Sequence, residues 1–401
     1  MPDLELRDLE NYAEVLFWAV ETSRREPFKN GDIVVIRYDV PALRLVETLY
    51  ARLLDAHLRP VPVANPTPYM EAELYLNSSF GQLTFAPPGQ EELYGAAAGV
   101  INVLAPDDLL HLSRVDPRTI AEGRAASRGL NRLLERRRRT GAMGWTMGLY
   151  PTEALAVSAG MQLAEYSDEL FRACSLFAPE PVREWTHLKQ RTDEIATWLD
   201  SLDIRRLRVE SDNVDLFVTP GDNRRFVGIT GSNIPGYEVY VAPDWRGTEG
   251  VFFADQASLE LGHLVQGVRL EFAQGVAAQV SAVRGQSFLH LQLYADGGAR
   301  RVGEFSLTDR RMSRVRRFMA HTLLDENHGG EWGNCHIALG AALPASFSGP
   351  PEILDAEMEA ALGLNSSSIH WDLVNTERKR VTALLPGGGM RTVYEDGEFA
   401  V

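Results

Sequence analysis

Cysteine is almost missing from this sequence. Cys174 and Cys335 are the only two in 401 residues, so a disulfide framework is not expected and a reducing cytoplasm fits. No uninterrupted apolar run approaches the ~18 residues of a membrane span. The first ten residues, MPDLELRDLE, carry no apolar signal core. The expectation is a cytoplasmic chain with no membrane partner. Positive charge is also in deficit. Forty Lys and Arg against 55 Asp and Glu leave −15, which argues against general binding to nucleic acid and leaves room for a site that holds cations. No CxxC pair, Walker loop or GxGxxG in strand–turn–helix context occurs, and there are no repeats or low-complexity linkers. With 45% apolar and 24% charged residues, the chain is neither disordered nor fibrous.

What is present reads as an α/β protein of two domains. Leu4, Leu6, Leu9, Tyr12, Leu16 and Val20 recur at helical spacing over 4–25, and DIVVIRY (32–38) is a short apolar run of the buried-strand kind. Helical period returns over 41–57, and 61–64 and 100–104 read as further strands. This rhythm predicts a partly parallel sheet with crossover helices. A long polar helix is expected over 118–139, ending in Arg136, Arg137, Arg138 and Arg139. That run reads as a solvated helix end whose cations suit the dipole rather than as a nucleic-acid patch. More helices follow through 152–201. Near 203 the pattern changes to short strands at 206–219, 225–230, 237–242, 251–255 and 264–284, with a helix at 286–297. The expected organisation is an N-terminal α/β domain over 1–202 and a C-terminal mixed α+β domain over 203–401.

Six of the nine histidines fall after residue 260: His263, His290, His321, His328, His336 and His370. In Ile369-His370-Trp371-Asp372 an imidazole and a carboxylate are two apart. On a strand they share a face and form a usable pair of metal ligands, or simply a His–Asp hydrogen bond. The segment 321–340 offers His321, Asp325, Glu326, His328, Glu331, Cys335 and His336, the last just before an apolar stretch. A Cys335 nucleophile is disfavoured, because neighbours on a strand point apart. Glu238 and Glu304 each stand alone inside an apolar strand-like run. Such a carboxylate either faces solvent or, if buried, needs a partner or a cation. The Gly-rich stretch 387–389 reads as a hairpin.

Taken in order, GSNIPGYEVYVAP (231–243), RVGEFSL (301–307), TLLDEN…CHIALG (322–340) and IHWDL (369–373) resemble the thermophilic metalloaminopeptidase family, of the aminopeptidase T, aminopeptidase S and PepS type. Weaker similarity runs through 31–50, 103–108 and 150–156. The resemblance implies an α/β N-terminal domain and a C-terminal metal-binding catalytic domain that carries two divalent ions (Zn, Co, Mn or Mg). It implies Glu238, Glu304, His336, His370 and Asp372 as their ligands. It also implies a homodimer that removes N-terminal residues from peptides with a free N-terminus. One departure stands out. The family's tyrosine seven residues after the first metal-site histidine is Leu343 here (343 − 336 = 7).

The chemistry agrees with the resemblance. Two metals ~3.5–4 Å apart need a bridging carboxylate and several hard or borderline ligands, and they make a bound water acidic near neutral pH. One ion can polarise the scissile carbonyl while the other holds the substrate amine. Three carboxylates with two imidazoles suit Zn, Mn or Co better than Ca. Asp325 and Glu326 are candidates for orienting His336 or for binding the substrate amine. Two other functions compete: a family member weakened or inactivated at Leu343 that serves as a binding or scaffold protein, and a metal-dependent hydrolase of non-peptide amides.

Overall fold

The computed structural model describes residues 4–401, which separate into two compact units. One takes the described residues up to Trp185 together with Thr230–Pro235; the other takes Thr186–Ile229 and Gly236–Val401.

The first unit is built on a five-stranded sheet in the order Arg59–Ala64, Ile33–Tyr38, Ala97–Leu104, Gly144–Leu149, Asn233–Ile234. Every neighbouring pair is parallel, so each connection crosses over, mostly through helices. The apolar run read from 32–38 is the strand Ile33–Tyr38, whose Val34, Val35 and Ile36 are buried. Helix Leu6–Thr22 buries Leu9, Tyr12, Leu16 and Val20 of the stripe expected from the spacing, while Leu6 in its first turn is exposed. It lies close enough to the sheet that a Cβ at Gly144 would meet the Val20 carbonyl at 2.2 Å. The long helix expected over 118–139 is instead two, Pro117–Ala126 and Arg128–Arg139, parted at Ser127. Ser127 and the flanking Gly123 and Gly129 are poor helix formers and weaken continuity there. The arginine run does end its helix, with Arg138 stacked over Trp145 and Arg137 donating to the Ala97 carbonyl. No described helix is long and apolar enough to cross a membrane.

The second unit holds two larger antiparallel sheets. Eight strands run in the order Val276–Ser281, Val268–Ala273, Glu249–Ala254, Asp215–Val218, Arg206–Glu210, Arg380–Leu384, Met390–Glu395, Glu398–Phe399. The turn at 387–389 does join two paired strands. Four strands form the other sheet, in the order His370–Asn375, Asn334–Gly340, Val302–Thr308, Glu238–Val241. The strand expected at 225–230 is not one. It makes isolated bridges such as Val227 to Tyr240, because Phe226 and Ile229 spend their backbone N–H groups on the side chains of Asp200 and Thr192. The four-stranded sheet is apolar on one face, through Val239, Val241, Phe305, Leu307, Cys335, Ile337, Leu339, Trp371 and Leu373, all buried. Its other face is polar, and the two central strands are buried along their whole length.

Candidate metal centre

Strand register gathers the polar face into one site. Directly opposed residues in an antiparallel pair point to the same side. Glu304 faces Ala338, and Ala338 faces Asp372, so one row across three strands reads carboxylate, methyl, carboxylate. The next row sets Tyr240, Ser306, His336 and Val374 side by side. Glu238 opposes Thr308, and His370 opposes Gly340. All five residues singled out as ligands therefore sit on one face. The small side chains at the centre leave the space that the ligand atoms enter. Gly340 has a φ of +105°, and a Cβ there would meet the Ile369 carbonyl at 2.1 Å, so only glycine fits opposite His370. The register also shifts between Val302 and Glu304, a bulge that re-aims the Glu304 side chain.

Glu304 is the hub. Its Oε1 lies 3.4 Å from His336 Nε2 and its Oε2 lies 3.4 Å from His370 Nε2. Glu238 Oε2 is 3.2 Å from His336 Nε2, and Asp372 Oδ1 is 3.5 Å from His370 Nε2 and 3.9 Å from His336 Nε2. Two groups of three follow, Glu238–Glu304–His336 and Glu304–His370–Asp372, each with ligand atoms within 4.8 Å of one another. Glu304 belongs to both. Glu304 and His336 are 2% and 1% exposed, so their charges have little water to lean on.

The electrostatics describe a site short of positive charge. Burial and the neighbouring Glu304 raise the pKa of Glu238. Burial also pushes Glu304 up, but hydrogen bonds from His336 and His370 overcome it and hold Glu304 at about 2. Burial alone lowers both imidazoles; for His336 the Glu238 and Glu304 carboxylates, and for His370 the Asp372 and Glu304 carboxylates, reverse that and raise them well above the usual value. The cluster of carboxylates thus favours positive charge at the imidazoles, and a divalent cation that deprotonates its ligands would supply that charge instead. The donor set fits such ions: three carboxylates and two imidazoles converge through oxygen and Nε2 atoms. The surroundings prepare the ligands unequally. Ser306 Oγ donates to Glu238 Oε2 at 2.8 Å. His370 Nδ1 lies 2.8 Å from the Ala341 carbonyl, which fixes the proton on Nδ1 and leaves Nε2 as the donor atom. His336 Nδ1 is buried without a hydrogen-bond partner among the described residues.

Asp325 and Glu326 end the short helix Thr322–Asp325. Both Asp325 oxygens are taken by backbone, accepting from Met319 N–H at 2.7 Å and His321 N–H at 2.9 Å. Burial still pushes its carboxyl up to about 8. Glu326 is 7% exposed, and burial together with the charges of Asp372 and Glu238 raises its pKa strongly. The remaining histidines lie elsewhere: His321 accepts the Leu323 N–H at 3.2 Å as a helix cap, and His263 stacks on Phe288. Cys335 points to the apolar face, and burial pushes its thiol up to about 11, so it is no nucleophile. Two contributors escaped the sequence reading. Ser306 had a usable signal, its two-residue offset from Glu304. Asn327 had none, because its Oδ1 accepts from the N–H of Tyr237, 90 residues away in sequence.

Comparisons with known proteins point the same way. The profile of the thermophilic metalloprotease (M29) family matches residues 6–399. Aminopeptidase PepS of Streptococcus thermophilus is 24% identical over 58% of this chain and 58% of its own length. Aminopeptidase T of Thermus thermophilus is 26% identical over 64% of this chain and 63% of its own. The chain thus spans less than two thirds of these two relatives. Aminopeptidase 2 of Geobacillus stearothermophilus is 26% identical over 77% of this chain and 78% of its own. The solved structure of wild-type AmpT from Thermus thermophilus superposes with a TM-score of 0.84 at 21% identity, covering 98% of this chain and 99% of that one, which shows a shared fold.

Proposed function

The chain belongs to the thermophilic metalloprotease (M29) family, and from that membership we propose that it is an aminopeptidase whose polar sheet face holds two divalent metal ions. The observation that carries this reading is Glu304. Its two oxygens each face a different imidazole, and it is common to both groups of ligand-type side chains. One carboxylate shared by two ligand groups is what a dinuclear site requires. Glu238 and His336 would complete one position, and His370 and Asp372 the other.

Zinc, cobalt, manganese or magnesium bound there would supply an acidified water and a Lewis acid for the scissile carbonyl. The protein's own part is positional. Ser306 holds Glu238 by one oxygen, and the Ala341 carbonyl holds His370 in the tautomer that offers Nε2. The buried central strands keep Glu304 and His336 away from bulk water, which strengthens every charge interaction among them.

The substrates in this reading are peptides with a free N-terminus and the enzyme is a homodimer, as the family resemblance implies, in the reducing cytoplasm that two cysteines in the chain suit. Leu343 favours a slow catalyst over a fast one. It precedes the short turn Pro344–Ser346 and offers no hydrogen-bond donor where the family's tyrosine stands. The test is release of a chromogenic amine from leucyl anilide by chelator-treated protein before and after each metal is restored. Restored activity with about two ions per chain supports the proposal. A chain that binds two ions and cleaves acyl anilides but not aminoacyl anilides favours the non-peptide hydrolase. A chain that binds ions and cleaves neither favours a binding protein.

A further inference from the structure

Asp325 and Glu326 are neighbours in sequence and both buried, yet they are used differently. Asp325 spends its two oxygens on the backbone N–H groups of Met319 and His321, closing its own loop. Both line a small cavity whose wall also includes Asp372, Thr322, Gln256 and Ser258, but the Glu326 carboxylate accepts from the Asn327 side chain where that of Asp325 is tied up by backbone N–H groups. Glu326 belongs to neither group of ligand-type side chains. We propose that Glu326 receives the amino group of the substrate's first residue and so makes the enzyme select free N-termini. This rests on the aminopeptidase reading above.

Three observations support the assignment. The cavity between Glu326 and Asp372 has about 10 Å³ of space, enough for one water-sized group. An ammonium is of that size and a substrate side chain is not. A carboxylate that is 7% exposed on a cavity wall gains from a cation delivered there, because burial has removed most of the water that would otherwise solvate it. A peptide that enters amine-first brings that cation; an N-acylated peptide brings none. The carboxylate is also positioned. Asn327, fully buried, donates from Nδ2 to Glu326 Oε1 at 3.3 Å and to the Leu323 carbonyl at 3.2 Å, while its Oδ1 accepts from Tyr237 N–H, one residue before Glu238. One amide side chain therefore ties Glu326 to the strand that carries a metal-site carboxylate.

The experiment uses the full chain loaded with metal. Calorimetry compares leucinamide with 4-methylpentanamide, which has the same side chain and no amine, for wild type, E326Q, E326D and D325N. Metal content and melting temperature are read for each. Wild type should prefer the amine-bearing ligand by about ten- to a hundredfold, the range of one charge-assisted bond. E326Q should bring the two affinities within about twofold at unchanged metal content, and in kinetics should raise KM for leucyl anilide far more than it lowers kcat. E326D should retain part of the preference. D325N should melt earlier and keep the preference. If wild type cleaves leucyl anilide but E326Q keeps its amine preference, Glu326 has been assigned wrongly while the aminopeptidase reading stands. A fall in kcat with the preference intact would mean that Glu326 moves a proton instead, and would also overturn the proposal. Wild type that neither cleaves nor discriminates would overturn both.

Discussion

Replacing Ala338 with leucine tests the site without touching a ligand. Ala338 lies between Glu304 and Asp372 in register, on the ligand face, with no exposed surface. Leucine adds three carbons where Glu304 and Asp372 approach the two imidazole Nε2 atoms, at 3.4–3.9 Å from them. Because Ala338 has no exposed surface, the larger side chain crowds the carboxylates on either side. Overpacking of this kind costs about 1–3 kcal/mol. For a unit of this size each kcal/mol lowers Tm by roughly 2–4 °C, so A338L should fold and melt about 2–12 °C earlier. Its metal content should fall below about half that of wild type, and turnover should fall with it. Ile337, one residue earlier, is equally buried but points to the apolar face. I337A should therefore cost about 2–5 kcal/mol from the cavity it leaves, yet keep its metal in whatever fraction remains folded. Elemental analysis of gel-filtered protein and calorimetric melting read both quantities. A338L with full metal and ordinary turnover would refute the register argument, and so would I337A losing metal at a temperature where it is fully folded.

Three further outcomes follow from the same geometry. E304Q keeps the shape of the hub and removes its charge; it should fold and lose both ions and activity, with a fall in metal affinity beyond the 10–100-fold of an outer-shell change, and equilibrium dialysis would expose the error if two ions stay. L343Y should raise kcat by about one to two powers of ten if a tyrosine donor acts in the transition state; an unchanged kcat with a lower Tm would mean that Leu343 is merely packed. Lys379 is 2% exposed, and burial lowers its pKa from 10.5 to about 8. Below pH ~8 the ammonium is charged in both folded and unfolded chains; between about 8 and 10.5 only the unfolded chain keeps the proton, so this group makes stability rise with pH through that window, by up to about 3 kcal/mol. K379M should flatten that rise in urea titrations across the window, and an unchanged slope would contradict the assignment.

The five residues that the register gathers each break a local apolar pattern, but it is the family resemblance that joined them into one candidate ligand set. Glu238 and Glu304 interrupt buried runs, His336 opens one, and His370 and Asp372 keep the two-residue spacing of a strand face. What the sequence withheld is pairing. That Ala338 stands between Glu304 and Asp372, and Gly340 beneath His370, is a matter of strand register between segments 30 or more residues apart, which local periodicity does not encode. The same limit explains the segment 225–230. Its apolar residues suggested a strand, but side chains of Asp200 and Thr192 capture the N–H groups that a ladder would use. The 118–139 segment failed for a local reason instead: its helical period continues across Ser127 while its propensity does not. Asn327 and the Ala341 carbonyl act through contacts that no pattern announces, since one joins positions 90 residues apart and the other is backbone.

The central claim is that one carboxylate, Glu304, is shared by two metal ions on one sheet face. Anomalous diffraction from crystals soaked in zinc or cobalt tests it directly. The account predicts two peaks about 3.5–4 Å apart, one within coordination distance of Glu238, Glu304 and His336 and the other of Glu304, His370 and Asp372. A single peak, or a pair that Glu304 does not join, would contradict it.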